Sequence, residues 1–122
     1  MIEKITVNGV HLEVDEDLNK YAIKKIANLD KYMSKHVRES VRAEIWLKES
    51  KAKNKRTLTC EVKMTLPNEV IITKESTLNI YAAIDIVEAK LKNQILKYKE
   101  LHGTSGIRHK INLLRNKSKN QI

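Results

Sequence analysis

Between residues 80 and 98, Ile80, Ile84, Val87, Leu91, Ile95 and Tyr98 recur at spacings of three or four. A helix with 3.6 residues per turn gathers such positions into one narrow stripe, and a stripe that apolar must be laid on a core. The segment therefore demands a packed partner, and the rest of the chain has to supply it. Lys90 and Lys97 run along one flank of the stripe, with Lys92 and Lys99 along the other. Lysine stems can lie on apolar surface while their ammonium groups reach outward. Asn79 is an expected N-cap and Gly103 an expected stop. Lysines on an exposed helix are ordinarily a solvated face, so the stripe alone leaves both a solubility role and a grip on a polyanion open.

The partner surface is legible as strands. A short strand is expected at Ile2 to Asn8, broken by Gly9. Asp15-Glu16-Asp17 then provides an N-cap and two acids favoured by the helix dipole, opening a helix to about Met33. Leu18, Ala22, Ile26, Leu29 and Met33 form its inner face, and Lys20, Lys24, Lys31 and Lys35 make a second basic ridge if the helix runs that far. Val41, Ala43, Ile45 and Leu47 alternate with polar residues, as do Leu58, Cys60, Val62 and Met64, which predicts two half-buried antiparallel strands. The basic stretch Lys48 to Arg56 between them reads as a loop. Pro67-Asn68 predicts a turn into a last strand, Val70 to Glu75. The order β-α-β-β-β-α indicates an α+β fold, with two helices packed on one face of a four-stranded, mainly antiparallel sheet. Trp46 falls on the polar side of its strand, where covering the open face is the simpler role and stacking on a partner the sharper one.

Charge separates the two readings of the lysines. The chain carries 24 Lys+Arg against 15 Asp+Glu, a net charge of +9, and a pI near 9.7. An excess of that size in one small domain points to nucleic acid or another anionic surface. Lysine outnumbers arginine 19 to 5, which favours phosphate contact over bidentate reading of base edges. Residues 1–102 are expected to form the folded α+β domain. Residues 103–122 are expected to be a flexible basic tail, with Arg108, Lys110 and Arg115 among its cations and no acid in it. Ile107, Ile111 and Leu114 would allow it one short helix. No apolar run approaches a membrane span, and Met1 to Ile5 lacks a signal peptide's apolar segment, so a cytoplasmic protein without a membrane partner is expected. The single cysteine, Cys60, reads as a buried strand residue. An enzyme is disfavoured: His11, His36, His102 and His109 are scattered, there is no metal-ligand spacing, and three glycines supply no phosphate loop. No catalytic residue, metal, cofactor or small-molecule substrate is expected.

Tyr81-Ala82-Ala83-Ile84-Asp85, with Lys90-Leu91, Gln94-Ile95, Lys97 and Lys99, resembles the second helix of the ribosome hibernation-promoting factors and ribosome-associated translation inhibitors, also called ribosomal subunit interface proteins. The resemblance runs from the first strand to about His102. It implies a fold related to double-stranded RNA-binding domains. It also implies a non-enzymatic factor that binds the small ribosomal subunit, 16S rRNA and neighbouring ribosomal proteins, in the mRNA/tRNA channel at the A and P sites. There it would inhibit translation under stress or in stationary phase. Lys90, Lys97 and Lys99 match the family's basic motif by position. Lys92, Lys20, Lys24 and Lys31 are RNA-binding candidates from facing and charge alone, and Arg108, Lys110 and Arg115 from the charge of the tail. Longer relatives carry a second, dimerising domain, which the twenty residues after His102 are too few to supply; the resemblance is therefore to the short form.

Two other readings stay open at this level. The same ridges would serve a general binder of structured RNA, and an exposed strand or the tail would serve a protein-interaction adaptor.

Overall fold

The structure, a computed structural model, describes residues 1–102. Its elements are β1 (Lys4–Val10), α1 (Glu16–Ala27), a 3-10 segment (Asn28–Tyr32), α2 (Lys35–Ser40), β2 (Arg42–Ala52), β3 (Lys55–Leu66), β4 (Glu69–Thr77) and α3 (Ile80–His102). The strands form one sheet in the order β1-β2-β3-β4. β2 to β4 make an antiparallel meander. β1 instead lies parallel to β2, so α1 and the segments after it form the crossover that a parallel pair requires. The expected α+β class and mainly antiparallel sheet are present, with one short helix, α2, that the sequence reading did not include.

The core lies between the sheet and the helices α1 and α3. Ile45, Leu47, Val62 and Met64 on the central strands are fully buried, as are Ile84, Val87 and Leu91 on α3 and Ala22 and Ile26 on α1. Every alternation that the sequence showed on β2 and β3 is kept: Leu47 stands opposite Cys60, Ile45 opposite Val62 and Ala43 opposite Met64. Burial pushes the Cys60 thiol up to about 12, which removes its nucleophilic form at neutral pH.

Four boundaries differ from the sequence reading, each for a local reason. The first helix ends at Ala27 rather than near Met33, because the Ile2 backbone N–H takes the Ala27 carbonyl at 3.2 Å and the chain tightens into the 3-10 segment. Leu29 and Met33 stay buried as expected, Leu29 within the 3-10 segment and Met33 on the extended residue that ends it. The β1 strand begins two residues late and passes through Gly9 instead of stopping there. The stretch Lys48 to Arg56 is strand on both sides of a two-residue turn, not a loop. Lys53 and Asn54 both have positive φ, 53° and 63°, the requirement of a tight hairpin connection that matches strand twist. At the other end of β3, Pro67 presets one turn residue and Asn68 takes φ 67°, and β4 runs from Glu69 to Thr77, longer than expected.

Gly9 is required by proximity. A Cβ there would lie 2.3 Å from the Leu12 backbone oxygen, far inside van der Waals contact. Gly9→Ala must push the segment after β1 off the sheet, and we expect a loss of about 1–3 kcal/mol of stability, read as a lowered urea midpoint with an unchanged slope. An unshifted midpoint would show that this connection is free to move.

Candidate nucleic-acid interface

The basic helix is fixed at both ends. Asn79 caps α3 as expected, its side-chain oxygen accepting the Tyr81 backbone N–H at 2.9 Å. At the far end the Tyr98 hydroxyl donates to the Pro67 carbonyl at 2.7 Å, tying the helix to the β3–β4 turn. Between them Ile80, Ala83, Ile84, Val87, Leu91, Ile95 and Tyr98 are buried. With the stripe turned inward, Lys90, Lys92, Lys97 and Lys99 must emerge on the flanks, and all four are exposed. The crest between the flanks carries exposed Ile86 and Leu96.

The candidate lysines fall into different electrostatic states. Lys90 is held across the edge of the sheet by the Glu75 carboxylate, whose pKa the hydrogen bond and charge of Lys90 hold below the usual value. Lys20 pairs with Glu16 at 2.9 Å, one turn earlier on α1. Among the described residues, Lys24, Lys97 and Lys99 have no carboxylate partner. The structure brings Lys31 and Lys92 together: their ammonium groups stand 5.2 and 5.1 Å from the centre of the Tyr32 ring. The continuous first-helix ridge is therefore corrected. The break after Ala27 moves Lys31 out of line with Lys20 and Lys24, onto the 3-10 segment, and carries Lys35 onto α2. The C-terminal half of α3 thus carries cations on both flanks, Lys92 and Lys99 on the flank that meets Lys31, and Lys97 on the other. A cleft of about 270 Å³ opens on the Lys31 flank, lined by Asn28, Tyr32, Glu88 and Lys92 among others. Arg108, Lys110 and Arg115 lie outside the described residues.

Tyr21 and Tyr32 were not singled out from the sequence, though both sit beside inner-face positions of the first helix. Tyr21 packs edge-on against Tyr81, ring centres 4.9 Å apart, and its hydroxyl donates to Asp85 at 2.5 Å. Lys25 approaches Asp85 at 3.6 Å and Glu88 at 3.9 Å. The acid of the Tyr-Ala-Ala-Ile-Asp stretch is thus used internally, locking α1 to α3. His11, His36 and His102 sit on β1's exit, α2 and the end of α3, and do not converge.

The bond to Asp85, with burial and the same carboxylate's charge adding to it, raises the Tyr21 phenol to about 12. A raised phenol pKa stabilises the fold only while the proton is on, so the contribution is complete below the free value near 10 and disappears as pH passes about 12. An ultraviolet phenolate titration should show a component with that late midpoint, and Tyr21→Phe should remove it. A curve left unchanged by the substitution would place the bond to Asp85 elsewhere.

Comparison with known proteins gives the family and the fold. Residues 5–102 match the family model described as sigma 54 modulation protein / S30EA ribosomal protein. A ribosome hibernation promotion factor of Lactococcus lactis subsp. cremoris is 34% identical over 98 residues, covering 79% of this chain and 49% of that protein. The chain thus spans about half the length of that relative. A ribosome hibernation promoting factor of Pseudomonas putida is 26% identical over 97 residues, 80% of this chain and 87% of its own. Among solved structures, the N-terminal domain of Thermus thermophilus Protein Y superposes with a TM-score of 0.66 at 26% identity, covering 78% of this chain and 98% of that one. A ribosomal subunit interface protein from Coxiella burnetii, 21% identical with a TM-score of 0.64 over 79% of this chain and 97% of that one, shares the fold. With four-fifths of its length, the basic helix included, inside the family model, the chain belongs to the sigma 54 modulation protein / S30EA ribosomal protein family.

Proposed function

We propose that this protein is a non-enzymatic ribosome hibernation factor acting in the cytoplasm. It binds the small ribosomal subunit in the mRNA/tRNA channel at the A and P sites and inhibits translation under stress or in stationary phase. The observation that carries the reading is the cluster of Lys31, Lys92, Lys97 and Lys99 around the C-terminal half of a keyed helix, on both flanks of its buried stripe and beside a sheet-backed core. A plug for an RNA-lined channel needs a rigid body with cations aimed outward, so that binding displaces condensed counterions from phosphate. Structured RNA hides its base edges in a narrow major groove, which suits lysines that recognise charge and shape. The names of the Lactococcus and Pseudomonas relatives supply the hibernation role. Within the cluster, Lys92, Lys97 and Lys99 contact rRNA phosphates directly. Lys90 contributes after release from Glu75, and Lys20 after release from Glu16. The acid-free segment 103–122, a basic tail on the folded domain, adds five positive charges, Arg108, Lys110 and Arg115 among them, to the same attraction.

The test is co-sedimentation with purified small subunits across a salt series, alongside a translation assay. Lys92→Glu, Lys97→Glu and Lys99→Glu together should leave the thermal transition in place, weaken binding roughly tenfold or more, and flatten the salt dependence by about two to three phosphate contacts. Unchanged sedimentation would remove these residues from the interface. Equal affinity for isolated duplex RNA would make the protein a general RNA binder instead.

A further inference from the structure

We infer that the β2–β3 hairpin tip is a second phosphate-binding surface, a lysine finger that grips structured RNA at a point remote from the α3 cluster. The first observation is an overhang. On one side, β1 pairing stops at Val10 opposite Lys48, and on the other β4 pairing stops at Thr77 opposite Leu58. Beyond those points Ser50–Thr57, Lys51–Arg56 and Ala52–Lys55 pair only with each other, and Ser50 to Arg56 are all exposed. At about 3.3 Å per residue the ribbon projects roughly 10 Å past the sheet.

The second observation is how its charges are arranged. Five cations and one acid, Glu49, lie between Lys48 and Arg56. Glu49 holds Arg56, and Glu61 holds Lys48 at 2.8 Å. Lys51, Lys53 and Lys55 have no carboxylate partner among the described residues. Lys51 stands directly across the ladder from Arg56, a like-charge pairing that opposes the hairpin. Lys53 occupies a left-handed position, φ 53°, where Asn or Gly is the favoured choice. With Arg56 held by Glu49, the excess positive charge at the tip is that of Lys51, Lys53 and Lys55, which a bound anion offsets.

The third observation is placement. α3 starts beside the Thr77 end of β4 and returns to the Pro67 turn, where Tyr98 is bonded. Lys97 and Lys99 therefore lie at one end of the molecule and the finger beyond the other. A helical rise of about 1.5 Å per residue from Ile80 to Lys97, plus the overhang, separates the two surfaces by about 35 Å. The partner that fits both is one extended, structured RNA with phosphates at two distant places. A single short strand segment could not reach them together.

That the RNA belongs to the small subunit rests on the function proposed above; the finger's phosphate contact does not. The test uses the full chain with Lys51→Gln, Lys53→Asn and Lys55→Gln, since Asn suits the left-handed turn and the neutral set keeps the hairpin. Binding to purified small subunits should weaken several-fold, with a salt slope shallower by about two to three contacts, while the melting temperature holds or rises. Measured beside it, the α3 triple variant separates the two surfaces. Loss in the finger variant with none in the α3 variant would keep the finger and remove the helix interface. Loss in the α3 variant alone would overturn the finger, and so would a raised melting temperature with unchanged affinity. If neither variant loses binding to subunits while the finger variant alone loses binding to a free RNA duplex, the finger stands and its ribosomal assignment falls.

Discussion

The contact on which the rest depends is the stripe of α3 against the inner face of the sheet. Ile84, Val87 and Leu91 face the β3–β4 side of the sheet, where Val62 and Met64 on β3 are, like them, at 0% exposure. Each such aliphatic side chain contributes about 1.5–3 kcal/mol on burial, so rolling the helix by even one position would cost more than any surface lysine could return. Rotation is thereby settled by the core, and the positions of Lys90, Lys92, Lys97 and Lys99 follow from it. Axial slip is settled separately, by the Asn79 cap at one end and the Tyr98 bond to Pro67 at the other.

Acidic residues then decide which cations remain available. Asp85 and Glu88 engage Lys25, Glu75 engages Lys90, Glu16 engages Lys20, Glu49 engages Arg56 and Glu61 engages Lys48. Exposed pairs of this kind add at most about 1 kcal/mol each, so their main effect is on where charge is left over. Among the described residues the lysines without a carboxylate partner include Lys97 and Lys99, Lys92 with Lys31, and those of the hairpin tip, as well as Lys4, Lys24, Lys35, Lys63 and Lys74. Of the chain's net charge of +9, residues 103–122 supply five.

Much of this was legible in the chain because burial imposes periodicity. The α3 stripe, the alternation on β2 and β3, and the two N-caps at Asp15 and Asn79 all carry a local signal that the fold preserves. What escaped the sequence lay where no face is buried or where a distant segment intervenes. The hairpin from Ser50 to Thr57 has no core side, so its strand pairing leaves no alternation to read. The end of α1 is set by Ile2, 25 positions away from Ala27 in sequence, and that contact shifts Lys31 out of the ridge. The pairing of Lys31 with Lys92 over Tyr32, and of Tyr21 with Asp85, joins segments about sixty residues apart. No spacing within one helix could announce either.

The sheet does more than back the helix. β3 runs without interruption from the finger, at Lys55, to the turn that Tyr98 grips, after Leu66. The α3 cluster and the hairpin tip are therefore two ends of one frame, and their separation is fixed before any partner arrives. Lysines are flexible and their single contacts weak, so a set of them binds well only when the scaffold has already restricted where they can be. A second contact made by a rigid body is then an intramolecular step, strengthened when the partner's phosphates match the spacing and worthless when they do not. Discrimination among polyanions can thus arise without any base being read. It comes from the distance along one strand of a four-stranded sheet.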